Sequence, residues 1–347
     1  MTEHVYRTAY ESMLLPRVVR LGPNLYGACF ALMKLVPAAH ILQTAHREGR
    51  LTDRSVVIET SSGTFGLALA MICNQHGWRF IMVSDPVVDS ALRRRMEDLG
   101  AEVEIVPEPA ADGGYQRARL DRLDQLMAEY PGAFCPSQYA NPQNPAAYAV
   151  VAEHLSSVLG DIDCLAGPVG SGGSLCGTSR ALRVRSPRLT AIGIDTPGSV
   201  LFGLPDEPRV LRGLGNSLMP TNLDHSIFDE VHWLDPASAF RGTRVLHQLH
   251  SLFMGPTSGA TFVVARWWAR QNPEATTIAF FPDEGYRYQD SVYDDDWLKD
   301  HGLWRDDLPD EPVRVTHPRA VGGPWSRMDW DRRPLADGLA DGLADSR

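Results

Sequence analysis

Two lysines occur in this chain of 347 residues, Lys34 and Lys299, against 31 arginines. Arginine stays protonated and cannot form an imine, whereas a buried lysine can lose its proton and attack a carbonyl. Lys34 stands in the apolar run Phe30-Ala31-Leu32-Met33-Lys34-Leu35-Val36, where a free charge is costly. Lys299 stands in Asp294-Asp295-Asp296-Trp297-Leu298-Lys299-Asp300, where a solvated counter-charge accounts for it. Lys34 therefore reads either as a carbonyl-reactive amine or as a helix residue whose stem packs on apolar neighbours while its head reaches water. The arginine bias runs through the whole chain, so scarcity alone does not decide between the two.

A second group able to do chemistry is Gly170-Ser171-Gly172-Gly173-Ser174, between an apparent strand ending at Ala166 and a helix starting near Leu175. Small residues let backbone amides approach an anion, the helix N-terminus adds partial positive charge, and two hydroxyls add donors. The plain alternative is a tight strand-to-helix turn. A Walker loop needs Gly-Lys, but the two lysines follow Met33 and Leu298. The dinucleotide spacing fails because Leu175 takes the third glycine position, and a nucleophile elbow fails because Val169 takes a glycine position. What remains is a modest phosphate such as that of pyridoxal phosphate, which also needs a lysine. Glu59-Thr60-Ser61-Ser62-Gly63-Thr64-Phe65-Gly66 repeats the arrangement of strand, hydroxylated turn and helix. Its amides and hydroxyls suit a carboxylate, or merely cap the helix. His247 and His250 share a helix face, but no third metal ligand is visible, so no metal site is expected.

The elements that must position these groups alternate. Candidate buried strands are Ser55–Glu59, Arg79–Val83, Glu102–Val106, Asp163–Ala166, Leu189–Ile194, Glu230–Leu234 and Thr276–Phe281. Between them the patterns predict helices over Gly66–Gln75, Ser90–Leu99, Tyr115–Glu129, Ala146–Leu159, Leu175–Arg185, Ala237–Leu252 and Thr261–Arg270. This is the pattern of an α/β parallel sheet. Residues 107–114 read as a loop. Beyond about residue 303 the pattern dissolves, and the Ala-Asp-Gly-Leu repeat near the end predicts a disordered tail over 303–347.

A net charge of −10 argues against nucleic acid or an anionic membrane as partner. No run reaches the roughly 18 apolar residues of a membrane span, and no signal pattern opens the chain. The five cysteines form no CxxC pair and read as reduced core residues of a cytoplasmic protein.

Taken as a set, these segments resemble the cysteine synthase group of fold-type-II pyridoxal-phosphate enzymes. The likeness runs from about Leu15 to Trp297. It rests on Glu59–Gly66, Gln138-Tyr139-Ala140-Asn141-Pro142, Gly170–Ser174, Arg212-Gly213-Leu214-Gly215, Gly255–Ala260 and Phe281–Tyr288. The chain looks most like the branch that makes N-(2-amino-2-carboxyethyl)glutamate, a precursor of 2,3-diaminopropionate in siderophore and antibiotic pathways. The branch features are Asp85-Pro86, Glu108-Pro109 with Gly113-Gly114-Tyr115, Gly198–Gly203 and Tyr288–Trp297.

The resemblance implies an α/β fold of the tryptophan synthase β type: two αβα domains with the cofactor, pyridoxal 5'-phosphate, in the cleft between them. A smaller domain over 35–144 and a larger one of 1–34 plus 145–302 are expected, in a homodimer. Lys34 matches the Schiff-base lysine, 25 positions before Glu59 as in the family and followed by Pro37-Ala38. Gly170, Ser171, Gly172, Gly173 and Ser174 match the phosphate cradle. Ser61, Ser62, Gly63 and Gln138 match the clamp for the substrate carboxylate. Arg119 and Tyr139 fall where the branch has the same residues, and Arg119 could receive a carboxylate of the second substrate.

Three departures stand out. The family's Asn beside the cofactor ring is Thr64 here, and the Asn-Pro-Gly-Gly-Ser stretch before the lysine is missing. Glu284 replaces a serine set opposite the pyridine nitrogen, where a carboxylate would favour the protonated ring and a stronger electron sink. Its alternative is a side chain turned to solvent. The implied reaction is β-replacement on small amino-acid substrates: an activated serine of the O-phosphoserine or O-acetylserine type passes through an aminoacrylate, and an amine or thiol adds. A lyase or deaminase without a second substrate, and a non-catalytic paralogue, remain as alternatives.

Overall fold

The computed structural model describes residues 5–61, 63–86, 88–111, 114–211 and 213–340. In chain order the first elements are β1 (Arg17–Arg20), β2 (Leu25–Cys29), α1 (Leu35–Arg47), β3 (Val56–Thr60), α2 (Thr64–His76), β4 (Arg79–Ser84), α3 (Ser90–Asp98), β5 (Glu102–Ile105), α4 (Gly114–Glu129), α5 (Gln143–Ala146) and α6 (Ala149–Leu159). They continue with β6 (Cys164–Pro168), α7 (Gly173–Leu182), β7 (Thr190–Asp195), β8 (Glu230–Leu234), α8 (Pro236–His250), α9 (Pro256–Gln271), β9 (Thr277–Phe281), α10 (Asp295–Asp300), β10 (Val313–Arg314), β11 (Trp325–Asp329) and α11 (Leu335–Ala340).

These elements fall into two units. One comprises Leu32–Ala147 together with the segment ending at Leu14; the other comprises Leu15–Ala31 and the chain from Tyr148 onward. The first unit is therefore wider than the range 35–144, and it takes in an N-terminal segment that the sequence assigned to the other domain.

The first unit is built on a parallel sheet in the order β3-β4-β5, with Val57 opposite Phe80 and Val83 opposite Glu104. Strands β3 and β4 carry buried apolar runs, Val57–Ile58 and Phe80–Val83, whereas β5 alternates glutamate with apolar residues. One core gathers Leu42, Phe65, Leu69, Phe80 and Met96; a smaller one gathers Ile58, Ile81, Val83, Leu123 and Leu126. Helix α1 is not among the helices expected from the pattern, and within it stands Pro37. It sits in the first turn, where a missing N–H has no intrahelical partner to lose.

The second unit holds an eight-stranded sheet in the order β1-β2-β9-β6-β7-β8-β11-β10. Strands β2, β9, β6, β7 and β8 run parallel, and β1 and β11 add antiparallel neighbours. Helix α8 begins where Asp235 accepts from the Ser238 N–H at 2.7 Å and Pro236 takes the first position. Helix α9 begins five residues before the expected Thr261, because Pro256 opens it after Gly255. The helix expected over Ala146–Leu159 is α6, which begins at Ala149, and the short α5 precedes it.

The chain beyond residue 303 corrects the expectation of a disordered tail as far as Ala340. Strand β11 pairs with β8, setting Ser326 opposite Trp233, and Trp325 and Trp330 are fully buried. The Trp325 indole donates to His232 Nδ1 at 3.0 Å, and the other ring nitrogen of His232 lies 3.1 Å from Glu230 Oε2. Isolated aromatic anchors hold this segment, and anchors of that kind leave no periodic pattern. Residues 341–347 lie outside the described residues.

Candidate active site

In the first unit, Lys34 ends the segment leading into α1, and its carbonyl accepts from the Ala38 N–H at 3.2 Å. Met33 and Leu35 on either side are buried, and Lys34 itself is partly buried.

The carboxylate-type turn forms where β3 hands over to α2, at the carboxyl end of a parallel sheet, the usual place for a ligand. Ser61 is buried; its hydroxyl oxygen accepts from the Gly63 N–H at 3.1 Å and the Gly66 N–H at 3.4 Å. Thr64 opens α2, and no side chain caps that helix from Gly63. Glu59, buried within the end of β3, accepts from the Thr60 N–H at 2.8 Å and from the Gln138 N–H at 3.2 Å. The Gln138 carbonyl in turn accepts from Asn144 Nδ2 at 2.6 Å. Glu59 thus ties the Gln138 segment beside the Ser61 turn, bringing together residues 77 positions apart in sequence. Burial pushes the Glu59 carboxyl up to about 7, against the downward pull of the Thr60, Gln138 and Ser137 amides. Ser62 lies outside the described residues, as do Gly113 and Arg212 of the longer motifs.

Arg119 on α4 forms an ion pair with Asp85, at the end of β4, with Nε 3.4 Å from Oδ2 and both side chains largely buried. The guanidinium read as a receiver for a substrate carboxylate therefore faces a carboxylate of the chain itself. Tyr139 is 38% exposed, close enough to Arg119 for that charge to act on its phenol.

In the second unit, β6 is buried along its whole length and turns through Gly170, Ser171 and Gly172 into α7. Gly172 has φ +77°, and a Cβ there would lie 2.6 Å from Leu223 Cα. Only glycine fits such a position. No side chain caps α7 from Gly172; the Ser171 hydroxyl accepts from the Gly173 N–H at 3.4 Å, and Ser174 is partly buried in the first turn. An uncapped helix start, a sterically fixed glycine and two hydroxyls are a donor set that suits a phosphate.

Behind this turn lies a support that sequence reading missed. The Gly215 N–H donates to the Val169 carbonyl at 2.8 Å, and the Asn216 N–H donates to the Ser199 hydroxyl at 3.1 Å. Asp195, wholly buried at the end of β7, accepts from the Thr196 N–H at 2.9 Å, while its Oδ2 has no hydrogen-bond partner among the described residues. Burial pushes its carboxyl up to about 7, opposed by the Thr196 and Ser199 donors and the Arg209 charge. The available signal was an acid closing the buried strand Thr190–Asp195.

Glu284 turns its carboxylate to Arg17, 3.3 Å away, and remains 35% exposed. Its neighbour Asp283 is the buried carboxylate: its Oδ2 accepts from the Tyr288 hydroxyl at 2.9 Å, and a side chain at Gly255 would collide with its Oδ1. Glu284 therefore has Arg17 as its charge partner, with its carboxylate partly exposed.

The family model described as pyridoxal-phosphate dependent enzyme matches residues 33–283, and the chain belongs to that family. N-(2-amino-2-carboxyethyl)-L-glutamate synthase of Ralstonia nicotianae is 36% identical over 265 residues, covering 76% of this chain and 78% of that protein. The synthase of the same name from Cupriavidus metallidurans is 36% identical over 268 residues, with 76% and 79% covered. The crystal structure of O-acetylserine dependent cystathionine beta-synthase from Helicobacter pylori aligns with a TM-score of 0.76 at 26% identity, covering 83% of this chain and 98% of that one. The fold is that of the fold-type-II, cysteine synthase-like enzymes, and the cofactor is pyridoxal phosphate.

Proposed function

We propose that this enzyme catalyses β-replacement on an activated serine, of the O-phosphoserine or O-acetylserine type, with an amine such as glutamate as the incoming nucleophile. The observation that carries this reading is the pair of strand–turn–helix sites, one suited to a phosphate and one to a carboxylate, in a chain with a single lysine in apolar surroundings. The name shared by the two 36% identical relatives supports the diaminopropionate branch over a general cysteine synthase.

Pyridoxal phosphate, when bound, supplies an aldehyde for imine formation and a ring that accepts electron density from the substrate α-carbon. Lys34 would hold that aldehyde, and its amine, once released by the incoming substrate, would take the α-proton. The turn from Gly170 to Ser174 would hold the phosphate through amides and hydroxyls. Ser61, Ser62, Gly63 and Gln138 would fix the substrate carboxylate, with Glu59 keeping the Gln138 segment in place. Thr64 would offer a hydroxyl where relatives offer an amide. Arg119 and Tyr139 would contact the second substrate, the Arg119 charge being balanced by Asp85 until a substrate carboxylate competes for it. Glu284 would serve the cofactor ring only by leaving Arg17.

No helix among the described residues is long and apolar enough to cross a membrane. We place the enzyme in the cytoplasm as a homodimer, the assembly that the resemblance to the cysteine synthase group implies. Mass spectrometry of products from O-phosphoserine or O-acetylserine with glutamate, and separately with sulfide, tests the reaction. A carbon–nitrogen adduct with glutamate is expected. Pyruvate and ammonia alone, with either acceptor present, would replace β-replacement by a lyase.

A further inference from the structure

Three arginines converge on a cavity of about 110 Å³ in the second unit, lined by no residue assigned a role above. Arg241, Arg244 and Gln248 stand three and four positions apart on α8, so they share one face. Leu298 and Leu303 form an apolar floor, and Trp304 and Arg305 complete the lining with Asp306.

The donors here exceed their acceptors. Arg244 lies over the Trp304 ring, 5.3 Å from its centroid, and pairs with Asp295, yet its Nη1 is buried without a hydrogen-bond partner. Arg241 gives Nε to the Asp306 carbonyl at 2.7 Å and Nη1 to Gln248 at 3.4 Å; Nη2 has no acceptor among the described residues. Arg305 donates through Nη2 to Asp235 at 3.2 Å. The Asp306 carboxylate already accepts from the Trp304 indole at 2.9 Å. A buried guanidinium N–H left without an acceptor is costly, and a planar group carrying only acceptors relieves it.

We propose that this cavity binds a small oxyanion, a carboxylate or a phosphate, through Arg241 and Arg244, with Trp304 and the two leucines against any short alkyl portion. No lining residue belongs to the turns that would hold cofactor and substrate.

The test titrates the holoenzyme with sodium acetate and, separately, sodium phosphate, chloride being withdrawn to keep ionic strength constant. Tryptophan emission is followed, with a Trp304→Phe variant as the blank. One arm or both saturate with a Kd on the order of 1 mM, as a pair of charge-assisted hydrogen bonds supports. The arm with the tighter Kd identifies the anion. Arg241→Gln, at a half-buried surface position, weakens binding by at least about tenfold while melting at the parent temperature. The proposal is overturned if neither salt saturates by about 50 mM, fifty times the expected Kd. A Kd unchanged in both Arg241→Gln and Arg244→Gln, or a signal that persists in Trp304→Phe, overturns it equally.

Discussion

The two turns, β3 into α2 and β6 into α7, read alike in sequence: a buried strand, small hydroxylated residues, a helix. They are held in different ways. Gly63 is extended at φ −158°, a conformation open to any residue, and its turn is fixed by hydrogen bonds to the Ser61 hydroxyl. Gly172 is left-handed and pressed on the Leu223 backbone, so its turn is fixed by steric exclusion. A turn fixed by side-chain hydrogen bonds can adjust to successive substrates. A turn fixed by backbone contact suits a group that stays bound throughout.

The largest expected effect breaks the steric turn. Gly172→Ala places a methyl against Leu223 and a non-glycine residue at positive φ, costing roughly 1–2 kcal/mol for the conformation alone. Equilibrium titration with pyridoxal phosphate should show affinity reduced by about 100-fold or more; parent-like affinity would remove the steric account.

Ser61→Ala probes the adjustable turn. Two amides lose their acceptor, a loss of about 1–2 kcal/mol. Steady-state kinetics should show KM for the activated serine raised roughly tenfold, with kcat and cofactor affinity little changed. A fall in cofactor affinity equal to that of Gly172→Ala would erase the contrast.

Much of this was legible in the chain. The Ser61 turn and the Gly170–Ser174 turn were visible because strand, small residues and helix follow one another locally; Lys34 stood out as one of two lysines, and Gln138 entered only through the family resemblance. The tie between Glu59 and Gln138 was not, because it joins positions far apart through a carboxylate that local pattern treats as solvated. Asp195 hid for the same reason, as did the pairing of Asp85 with Arg119: an acid at a strand end looks exposed until the neighbouring loops are placed. Strand β11 was hidden by short elements whose anchors are single tryptophans.

Asp195→Asn sharpens the account of the support behind the phosphate turn. Its carboxyl is raised from 3.8 to about 7, so between those values the folded state holds a proton that the unfolded state has released. Stability from this group is fully present below about pH 4 and is lost as pH rises to about 7; the Glu59 carboxyl, raised from 4.5 to about 7, acts in the same direction. Chemical denaturation across this window should show the Asn variant losing less stability than the parent, by on the order of 4 kcal/mol. Parallel curves would place the Asp195 carboxyl at its ordinary value.

The smallest effect belongs to Glu284. Its pair with Arg17 is exposed, and such pairs contribute about 0–1 kcal/mol. Glu284→Gln should leave the midpoint of denaturation nearly unmoved, and the cofactor absorbance unchanged across pH. A pH-dependent change in that spectrum would show the carboxylate turned toward the ring.

The measurement closest to the centre is borohydride reduction of the holoenzyme followed by peptide mapping of the trapped pyridoxyl group. The label is expected on the peptide containing Lys34 and to be lost in Lys34→Ala. Label on Lys299, or none on either lysine, would contradict the assignment on which the proposed chemistry stands.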